Sequence, residues 1–349
     1  MDTFNLMKHM KPAPRNGGFK MEGYWVWCGS VIKAEDNRYH MFASRWPRSI
    51  PMHPGWLTNS EIVRAVSDTP EGPYEFQEVV LPARGPQYWD GCATHNPSII
   101  KYKDTYILYY VGDTHPFLNV DVENGEQIKH KDPRTVSARA NKRVGMAVAK
   151  HIEGPWERFD EPILKPRPEC YDNLLVSNPA PCVDEKGNVT MIYKSRSYLK
   201  EPVGGFLHGP MSLGVAKGHI EDRFSYHAVT DEPIFDYRSS HLEDPFVWKD
   251  EKGFHMIAKD MEGKTCGEEH GGIYAFSKDG ISWEIQKGQQ AYSRKIKWDD
   301  GTTQVMGSLE RPFILFEEGR PTHMFFATAD GPGGFERATT TWNMVIPLK

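Results

Sequence analysis

A motif that recurs five times constrains the fold of this chain more than any other feature. Each copy starts a β-rich run with a pair of residues that is usually followed by Pro, and Gly29 takes the place of that Pro in the first copy. The residue before this position falls at 28, 96, 178, 244 and 311, so successive copies are 68, 82, 66 and 67 residues apart. Such regular spacing indicates repeated structural units.

The residues after each motif follow the pattern of a small antiparallel sheet. In the second copy, a polar turn separates the β-rich residues 98–102 from residues 106–110, which predicts a hairpin. A third strand ends at a Gly-Pro-aromatic corner, as at residues 72–74, and a fourth closes the unit, as at residues 79–81. Four strands repeated five times predict an all-β fold, a five-bladed β-propeller. We expect residues 1–349 to form this single domain, with blade starts near residues 28, 96, 178, 244 and 311.

Composition agrees with a propeller and excludes several classes of protein. Gly and Pro supply 31 and 26 of the 349 residues, as expected for short strands joined by tight turns. The net charge of −5 gives no basic surface for nucleic acid, and no run of about 18 apolar residues could span a membrane. The first residues lack the apolar centre of a signal peptide. We therefore expect a cytoplasmic monomer or small homo-oligomer, with a trimmed secreted or periplasmic protein as the alternative.

The cysteines and histidines give no sign of a metal centre. The five cysteines show neither a ligand spacing nor a disulfide framework, and they stand at Cys28, Cys92, Cys170, Cys182 and Cys266. The histidines likewise show no ligand spacing. The sequence therefore predicts no metal and no cofactor, and it leaves open a solvated cation such as calcium on the propeller axis.

The pairs of residues that open the five copies are the best functional signal in the sequence. In a propeller the innermost strands start beside the central axis, so these pairs should form a ring around one funnel. The Pro and the apolar residues after it are kept from copy to copy, whereas the pairs diverge. They are Trp27/Cys28, His95/Asn96, Ser177/Asn178, Glu243/Asp244 and Glu310/Arg311.

Two of these units resemble the blade signatures of known enzymes. The runs NPSII at residues 96–100 and EDPFVW at residues 243–248 are similar to those of the five-bladed glycosidases of family 43, and of their distant relatives among the fructosidases and the family 117 enzymes. The resemblance implies an inverting hydrolase with an Asp base at the first blade start, an Asp at the second that tunes the acid, and a Glu acid on a later blade. Here Cys28 and Asn96 occupy the first two positions, and Glu243 matches the acid.

The ring also offers the chemistry of glycoside hydrolysis from its residue types. That reaction needs one protonated and one charged carboxyl group, about 5 Å apart in retaining enzymes and about 6.5–9.5 Å apart in inverting ones. Glu243, Asp244 and Glu310 form a carboxylate cluster, and crowded like charges raise the pKa of one member. We assign the acid to Glu243, with Asp244 as its tuner, a sugar-hydroxyl acceptor or a turn-capping residue.

The base stays open among three residues. Asp90 lies six residues before its blade start, but Asp172 lies at the equivalent place in the next unit, and this recurrence favours a structural role for both. Glu310 has the ring position, although Arg311 beside it can hold it in an ion pair. His95 titrates near neutrality and can act as acid or base, or hydrogen-bond a sugar hydroxyl.

Sugar binding calls for flat apolar faces and planar polar groups, which several residues near the blade starts provide. Arg45 and Arg196 both follow a second strand, and with Arg311 they predict a funnel able to bind a carboxylate such as that of a uronic acid. Ion pairing of these arginines with the ring acids is the alternative. The candidates for substrate binding are Trp27, Arg45, Trp89, Asn96, Asn178, Arg196, His241 and Arg311.

Two insertions break the blade rhythm, at residues 45–59 and 115–141, and we expect them to border the funnel. A funnel blocked in this way favours removal of a terminal sugar from an oligo- or polysaccharide, by an exo-acting, inverting glycosidase. A non-catalytic carbohydrate-binding propeller is the alternative, because of Cys28 and Asn96. A protein-interaction propeller fits less well, because its ring would lack the carboxylates, His95 and the arginines.

Overall fold

The computed structural model describes residues 6–203, 206–331, 333–334 and 337–349. Within these residues, five antiparallel sheets stand around one axis, and the strands of each sheet follow one another in chain order from the axis outward. The first blade consists of β1 (Tyr24–Lys33), β2 (Tyr39–Pro47), β3 (Glu61–Ser67) and β4 (Glu75–Leu81). The second consists of β5 (Ala93–Tyr102), β6 (Thr105–Asp113), β7 (Arg143–Ala149) and β8 (Glu157–Arg158).

The remaining blades follow the same order. The third consists of β9 (Leu175–Val183), β10 (Asn188–Val203), β11 (Phe206–His219) and β12 (Asp222–Ala228). The fourth consists of β13 (Leu242–Asp250), β14 (Gly253–Asp260), β15 (Gly272–Ser277) and β16 (Glu284–Tyr292). A small hairpin of β17 (Lys295–Lys297) and β18 (Thr303–Val305) precedes the fifth blade, which consists of β19 (Ser308–Glu317), β20 (Arg320–Ala329) and β21 (Thr341–Pro347).

The N-terminal segment covers the outer edge of the fifth blade. Phe19 and Asn343 exchange two backbone hydrogen bonds of 2.9 Å, and the amide of Lys11 donates to the carbonyl of Pro347 at 2.8 Å. Gly18 makes this approach possible, because a Cβ on it would lie 1.9 Å from the carbonyl oxygen of Asn343. The first and last parts of the chain thus close the ring together. The five-bladed propeller predicted from the repeats is confirmed.

Each pair of neighbouring blades shares one hydrophobic cluster, and there are five such clusters in the described residues. Between blades 2 and 3, for example, Tyr109 on β6 packs with Met191 on β10, and both are fully buried. A sixth cluster joins Trp27 and Trp46 of blade 1 to Val120 of the insertion at residues 115–141. Burial between blades therefore fixes their arrangement, and the sixth cluster fixes the insertion over the funnel.

The same β-bulge opens every innermost strand. Two residues of that strand stand opposite one residue of the second strand, so the register shifts by one at each blade start. The first residue of each bulge has a left-handed backbone with φ between 50° and 56°; these residues are Cys28, Asn96, Asn178, Asp244 and Arg311. The five predicted blade starts coincide with these five bulges.

Both insertions carry helices on the funnel side. The insertion at residues 45–59 contains α2 (Met52–Asn59), and that at residues 115–141 contains α3 (Pro133–Ala140); a short helix, α1 (Leu6–His9), lies in the N-terminal segment. Asp132 caps α3 by accepting a hydrogen bond from the amide of Arg134. Helices α2 and α3 contact each other. None of the helices described is long and apolar enough to cross a membrane.

Candidate active site

The five bulge residues are joined across the axis, four of them side chain to side chain and Arg311 through its backbone amide. Cys28 Sγ donates to Asn96 Oδ1 at 2.7 Å, and Asn96 Nδ2 donates to Asn178 Oδ1 at 2.6 Å. Asn178 Nδ2 then donates to Asp244 Oδ1 at 2.8 Å, and the backbone amide of Arg311 donates to Asp244 Oδ2 at 3.2 Å. This chain of hydrogen bonds, which we call the axial ring, ends on the Asp244 carboxylate and forms the floor of a cavity.

The cavity above the axial ring has a volume of about 210 Å³. Its wall includes the residues that precede the bulges in blades 1, 2, 4 and 5, together with α2, α3 and the end of β10. The lining residues are Trp27, Trp46, Met52, His53, Trp56, His95, Asn96, Arg139, Asn178, Lys194, Arg196, Met211, Glu243, Asp244, Met261, Glu310 and Arg311. The predicted ring residues Glu243, Asp244, His95, Asn96 and Glu310 are therefore brought together in one cavity.

Three carboxylates meet around one buried ammonium group, that of Lys259. Its Nζ lies 3.1 Å from Glu243 Oε2, 2.9 Å from Glu310 Oε1 and 3.5 Å from Asp244 Oδ2. Lys194 forms a second ion pair with the other oxygen of Glu243. Lys194 and Lys259 occupy equivalent positions, each on a second strand opposite the residue that precedes the bulge. Each thus reaches the glutamate of the following blade.

This arrangement shifts the pKa values of the two glutamates in opposite directions. Burial opposes the charged form of Glu243, but Lys194 and Lys259 outweigh it and hold the pKa of Glu243 well below its usual value. Burial raises the pKa of Glu310 to about 7, because the attraction of Lys259 is offset by repulsion from Asp244 and Glu243. Near neutral pH, Glu243 is charged and a large fraction of Glu310 is protonated. From the sequence we assign the proton to Glu243, whereas these pKa shifts favour a proton on Glu310.

The opposite wall, as far as the structure describes it, carries no carboxylate. His95 is buried, its ring stacks on Trp56 with 4.8 Å between centroids, and its Nδ1 lies 2.7 Å from Ser60 Oγ. Burial, followed by the charges of Lys142, Arg311 and Lys194, holds the pKa of His95 well below its usual value. Burial also raises the pKa of the Cys28 thiol. This wall is therefore neutral and aromatic, with His95 and Cys28 uncharged.

Asp90 and Trp89 lie outside the cavity, which corrects the expectation that they face it. Asp90 is fully buried and accepts hydrogen bonds from Arg84 at 2.6 Å and from Tyr110 at 2.8 Å. Arg158 adds an ion pair at 3.3 Å. The indole of Trp89 stacks on Tyr110 and donates to a backbone carbonyl at 3.1 Å. Both residues support the packing of blade 2.

Asp172 shows that this support is a repeated structural element. It pairs with Arg167 at 3.0 Å and accepts a hydrogen bond from Tyr193 at 2.7 Å. Arg167 thus corresponds to Arg84, and Tyr193 to Tyr110. Of the two interpretations that the sequence left open for Asp90, the structure supports the structural one.

Arg45 and His241 are not among the residues that line the cavity. The Arg45 guanidinium pairs with Glu61 at 2.9 Å and lies over the ring of Tyr24, 4.2 Å from its centroid. His241 Nδ1 lies 3.1 Å from Glu262 Oε1. The other binding candidates, Trp27, Asn96, Asn178, Arg196 and Arg311, do line the cavity.

Several wall residues were not singled out from the sequence. Arg139 on α3 and Trp56 and His53 on α2 come from the two insertions, where no repeat sets their positions. Lys142 lies behind Trp56, with its Nζ 3.8 Å from the ring centroid. Only the length of the insertions signalled that they would contribute to the funnel.

An axial cation would have to share its ligands with Lys259. The carboxylates nearest the axis, Asp244, Glu243 and Glu310, already surround that ammonium group. Burial opposes the charge of Lys259, but these carboxylates raise its pKa well above the usual value, so it stays protonated. In the described residues no group of three or more His, Cys, Asp or Glu side chains is arranged to hold a metal ion. The residues present do not fit a calcium site.

Comparison with solved structures identifies similar folds. One solved glycoside hydrolase has a TM-score of 0.68 at 15% identity, over 98% of this chain and 93% of its own length. Zg3597, a family 117 glycoside hydrolase from the marine bacterium Zobellia galactanivorans, has a TM-score of 0.63 at 14% identity, over 97% and 89%. A thermostable family 43 glycoside hydrolase has a TM-score of 0.62 at 13% identity, over 97% and 92%.

These likenesses concern the fold, since the identities are low. They confirm the predicted resemblance to the five-bladed architecture of glycoside hydrolases of families 43 and 117. No protein-family model matches the chain, and no curated protein sequence matches it. The chemistry must therefore be argued from the cavity itself.

Proposed function

We propose that this protein is a glycoside hydrolase that removes a terminal sugar from an oligo- or polysaccharide. The observation that carries the proposal is the pair Glu310 and Glu243 in one closed-ended cavity, where the surroundings raise the pKa of Glu310 to about 7 and hold that of Glu243 well below its usual value. Glycoside hydrolysis needs both forms side by side. Two carboxylates whose surroundings push their pKa values apart are typical of an acid and its partner.

Glu310 is the general acid in this proposal. Its carboxyl group protonates the leaving oxygen, and the raised pKa keeps that proton available near neutral pH. Glu243 is the charged partner that activates water. Each of its carboxylate oxygens already accepts from one lysine, Oε1 from Lys194 and Oε2 from Lys259. A water molecule can use a remaining lone pair of such an oxygen.

We propose that the reaction inverts the anomeric configuration. Direct attack by Glu243 on the sugar carbon, as in a retaining enzyme, would have to compete with the ion pairs of Glu243 with both lysines. The nearest oxygens of Glu243 and Glu310 both contact Lys259 Nζ, at 3.1 and 2.9 Å. They therefore lie within about 6 Å of each other, which is shorter than the separation of about 6.5–9.5 Å typical of inverting enzymes and includes the separation of about 5 Å typical of retaining ones. The first product anomer distinguishes the two outcomes.

Exo action follows from the closed end of the cavity. The axial ring forms its floor, and the volume of about 210 Å³ lies below the range of about 300–1,000 Å³ that is usual for drug-sized ligands. Such a space suits one sugar unit. Trp56 and Trp27 provide apolar faces on the neutral wall, and the side-chain amides of Asn96 and Asn178 provide polar contacts on the floor.

The test is a panel of aryl glycosides and plant and algal oligosaccharides with wild-type protein, Glu310→Gln and Glu243→Gln. We expect single-sugar release by the wild type and its loss in both variants, which also excludes a contaminating enzyme. Proton NMR of the first product should show the inverted anomer. Binding of a sugar by wild type and both variants, with no release by any of them, would establish the carbohydrate-binding alternative instead.

A further inference from the structure

Two arginines line the cavity without a carboxylate partner in the part of the chain that the structure describes. Arg139 comes from α3 and Arg196 from β10. Among the described residues, no Asp or Glu oxygen lies within 4.0 Å of either guanidinium. Arg196 donates to the backbone carbonyl of Gly209 at 2.8 Å and lies 3.2 Å from His208 Nδ1. Both residues are half-buried, and arginines that are removed from solvent are normally paired.

The two guanidinium groups repel each other. Burial, and then the charge of Arg196, lowers the pKa of Arg139 to about 10. Burial also lowers the pKa of Arg196. Both groups remain charged near neutral pH, because even the lowered value for Arg139 lies well above 7. Keeping two like charges partly desolvated in one cavity costs free energy that an anion bound to both would recover.

The carboxylates of the cavity supply that anion only in part, because the charge of Glu243 acts on both guanidinium groups but its ion pairs are with lysines. Glu243 pairs with Lys194 and Lys259, and Glu310 pairs with Lys259. Asp244 lies near Lys259 and near the Arg311 guanidinium, at 3.5 and 3.6 Å. Among the side chains described here, five cationic ones thus surround three acidic ones. The excess positive charge lies on the side of Arg139 and Arg196.

We propose that Arg139 and Arg196 bind an anionic group, a carboxylate or a sulfate ester, on the terminal sugar of the substrate. This inference rests on the proposed glycosidase function and narrows its substrate to acidic sugars. The planar guanidinium matches both anions, since it donates two parallel hydrogen bonds to neighbouring oxygens.

The strand geometry connects this anion site to the catalytic pair. Arg196 follows Lys194 by two residues on β10, so both side chains project from the same face, about 7 Å apart along the strand. Lys194 holds Glu243. An anionic group on Arg196 therefore places the attached sugar ring next to Glu243, a separation that one sugar unit can bridge.

The first experiment compares matched aryl glycosides that differ only in the acidic group: glucuronide against glucoside, and galacturonide against galactoside. Arg139→Gln and Arg196→Gln should each lower kcat/KM for the acidic member by about 10–100-fold, the loss expected for a charge-assisted hydrogen bond. The neutral member should change less than about threefold. Arg139→Lys, which keeps the charge but not the planar fork, should give an intermediate loss.

Arg143→Gln is the matched control. Arg143 follows α3 closely in sequence, but its guanidinium donates to the carbonyls of Ala140 and Lys142 and does not line the cavity. Its substitution should leave the preference for acidic substrates unchanged. Equal losses on acidic and neutral members in the Arg139 and Arg196 variants would overturn the inference, and melting temperatures would identify any variant that fails to fold.

The second experiment separates this inference from the proposed reaction. Calorimetry with Glu310→Gln measures binding of glucuronate, galacturonate, galactose 6-sulfate, glucose and galactose. Tighter binding of acidic sugars that is lost on adding Arg139→Gln supports the anion site, even for a protein that hydrolyses nothing. The carboxylate and sulfate probes decide between the two anions. Absence of any preference for acidic sugars, in binding and in turnover, overturns the inference, while release of neutral sugars would leave the glycosidase function standing.

Discussion

The ring around the axis has two halves with the same backbone and different chemistry. Blades 4 and 5 contribute charged pairs, Glu243/Asp244 and Glu310/Arg311, whereas blades 1 and 2 contribute uncharged ones, Trp27/Cys28 and His95/Asn96. All four pairs sit at equivalent bulges with left-handed φ values between 51° and 56°. The fold therefore fixes where these side chains lie and leaves their chemistry free to differ.

Under the proposed function, this difference gives the cavity a catalytic wall and a binding wall. On the charged side, Lys259 brings three carboxylates within 3.5 Å of one ammonium group. On the uncharged side, Trp56 stacks on a His95 ring that stays neutral. A sugar held between these walls meets polar groups on one side and a flat apolar surface on the other, which is the pattern of a ligand site that orients its substrate.

The largest expected effect is the loss of the general acid on the charged half. Glu310→Gln should lower kcat by about 10²–10⁴-fold on substrates with poor leaving groups, and by less on activated aryl glycosides, which need little protonation. His95→Gln, on the uncharged half, should cost no more than about tenfold. Steady-state kinetics on both substrate types measure this, and equal losses in the two variants would remove the distinction between the walls.

Asp90, the buried carboxylate of blade 2 outside the cavity, should affect stability and not catalysis. Asp90→Asn leaves Arg84 and Arg158 facing an uncharged group in a buried site, which should reduce the free energy of unfolding by about 3–5 kcal/mol. Asp172→Asn, in the equivalent place of blade 3, is the matched variant and should behave alike. Urea unfolding measures the loss. A stable Asp90→Asn protein without activity would restore Asp90 as the base.

The dependence of kcat/KM on pH should reflect only the titrating groups on the charged half of the ring. Because the reaction needs protonated Glu310, whose pKa is about 7, kcat/KM should fall as the pH rises above that value. Asp244 repels the charged form of Glu310, so Asp244→Asn should lower this pKa and move the alkaline limb to lower pH. Asn178→Ala, which changes no charge, is the control. An unmoved limb in Asp244→Asn would assign it to another group.

The smallest effect is expected at Cys28 on the uncharged half. Its thiol is buried, its pKa is raised by burial, and it donates to Asn96 Oδ1. Cys28→Ser keeps a donor and should change the free energy of unfolding by less than about 1 kcal/mol, whereas Cys28→Ala should cost more because Asn96 loses a partner. Urea unfolding compares the two. A large loss of kcat in Cys28→Ser would give the thiol a catalytic part.

The blade starts could be predicted from the sequence because every copy of the repeat begins with the same recognisable motif. The five predicted positions fall on the five bulges. The arginines show where this reasoning ends. From the sequence we expect Arg45 and Arg196 after a second strand, whereas they lie within β2 and β10. The equivalent residues of these two strands are Ser44 and Lys194, opposite Trp27 and Ser177. Arg45 is therefore one residue beyond the equivalent position and Arg196 two.

Successive side chains along a strand point to opposite faces of the sheet, so this difference of one residue directs the Arg45 and Arg196 side chains to opposite faces. Trp46, two residues beyond Ser44, lines the cavity as Arg196 does, and Arg45 pairs with Glu61. The bulge that shifts the register was invisible in the sequence. The position of Arg139 in the cavity could not be predicted either, because Arg139 belongs to an insertion that no other blade repeats. The low pKa of Glu243 depends on Lys259, whose position opposite Glu243 follows only from strand pairing.

The axial ring has a consequence for how this protein folds. Its members come from all five blades and lie 66 to 82 residues apart in the chain, so each of its hydrogen bonds is a long-range contact that forms late and slowly. Each member also holds an unfavourable left-handed backbone, which persists only when its surroundings impose it. A chain with four blades assembled lacks Glu310 and the Arg311 amide that donates to Asp244. The cavity is therefore complete only when the last blade is in place, and under the proposed function a chain without this blade is inactive.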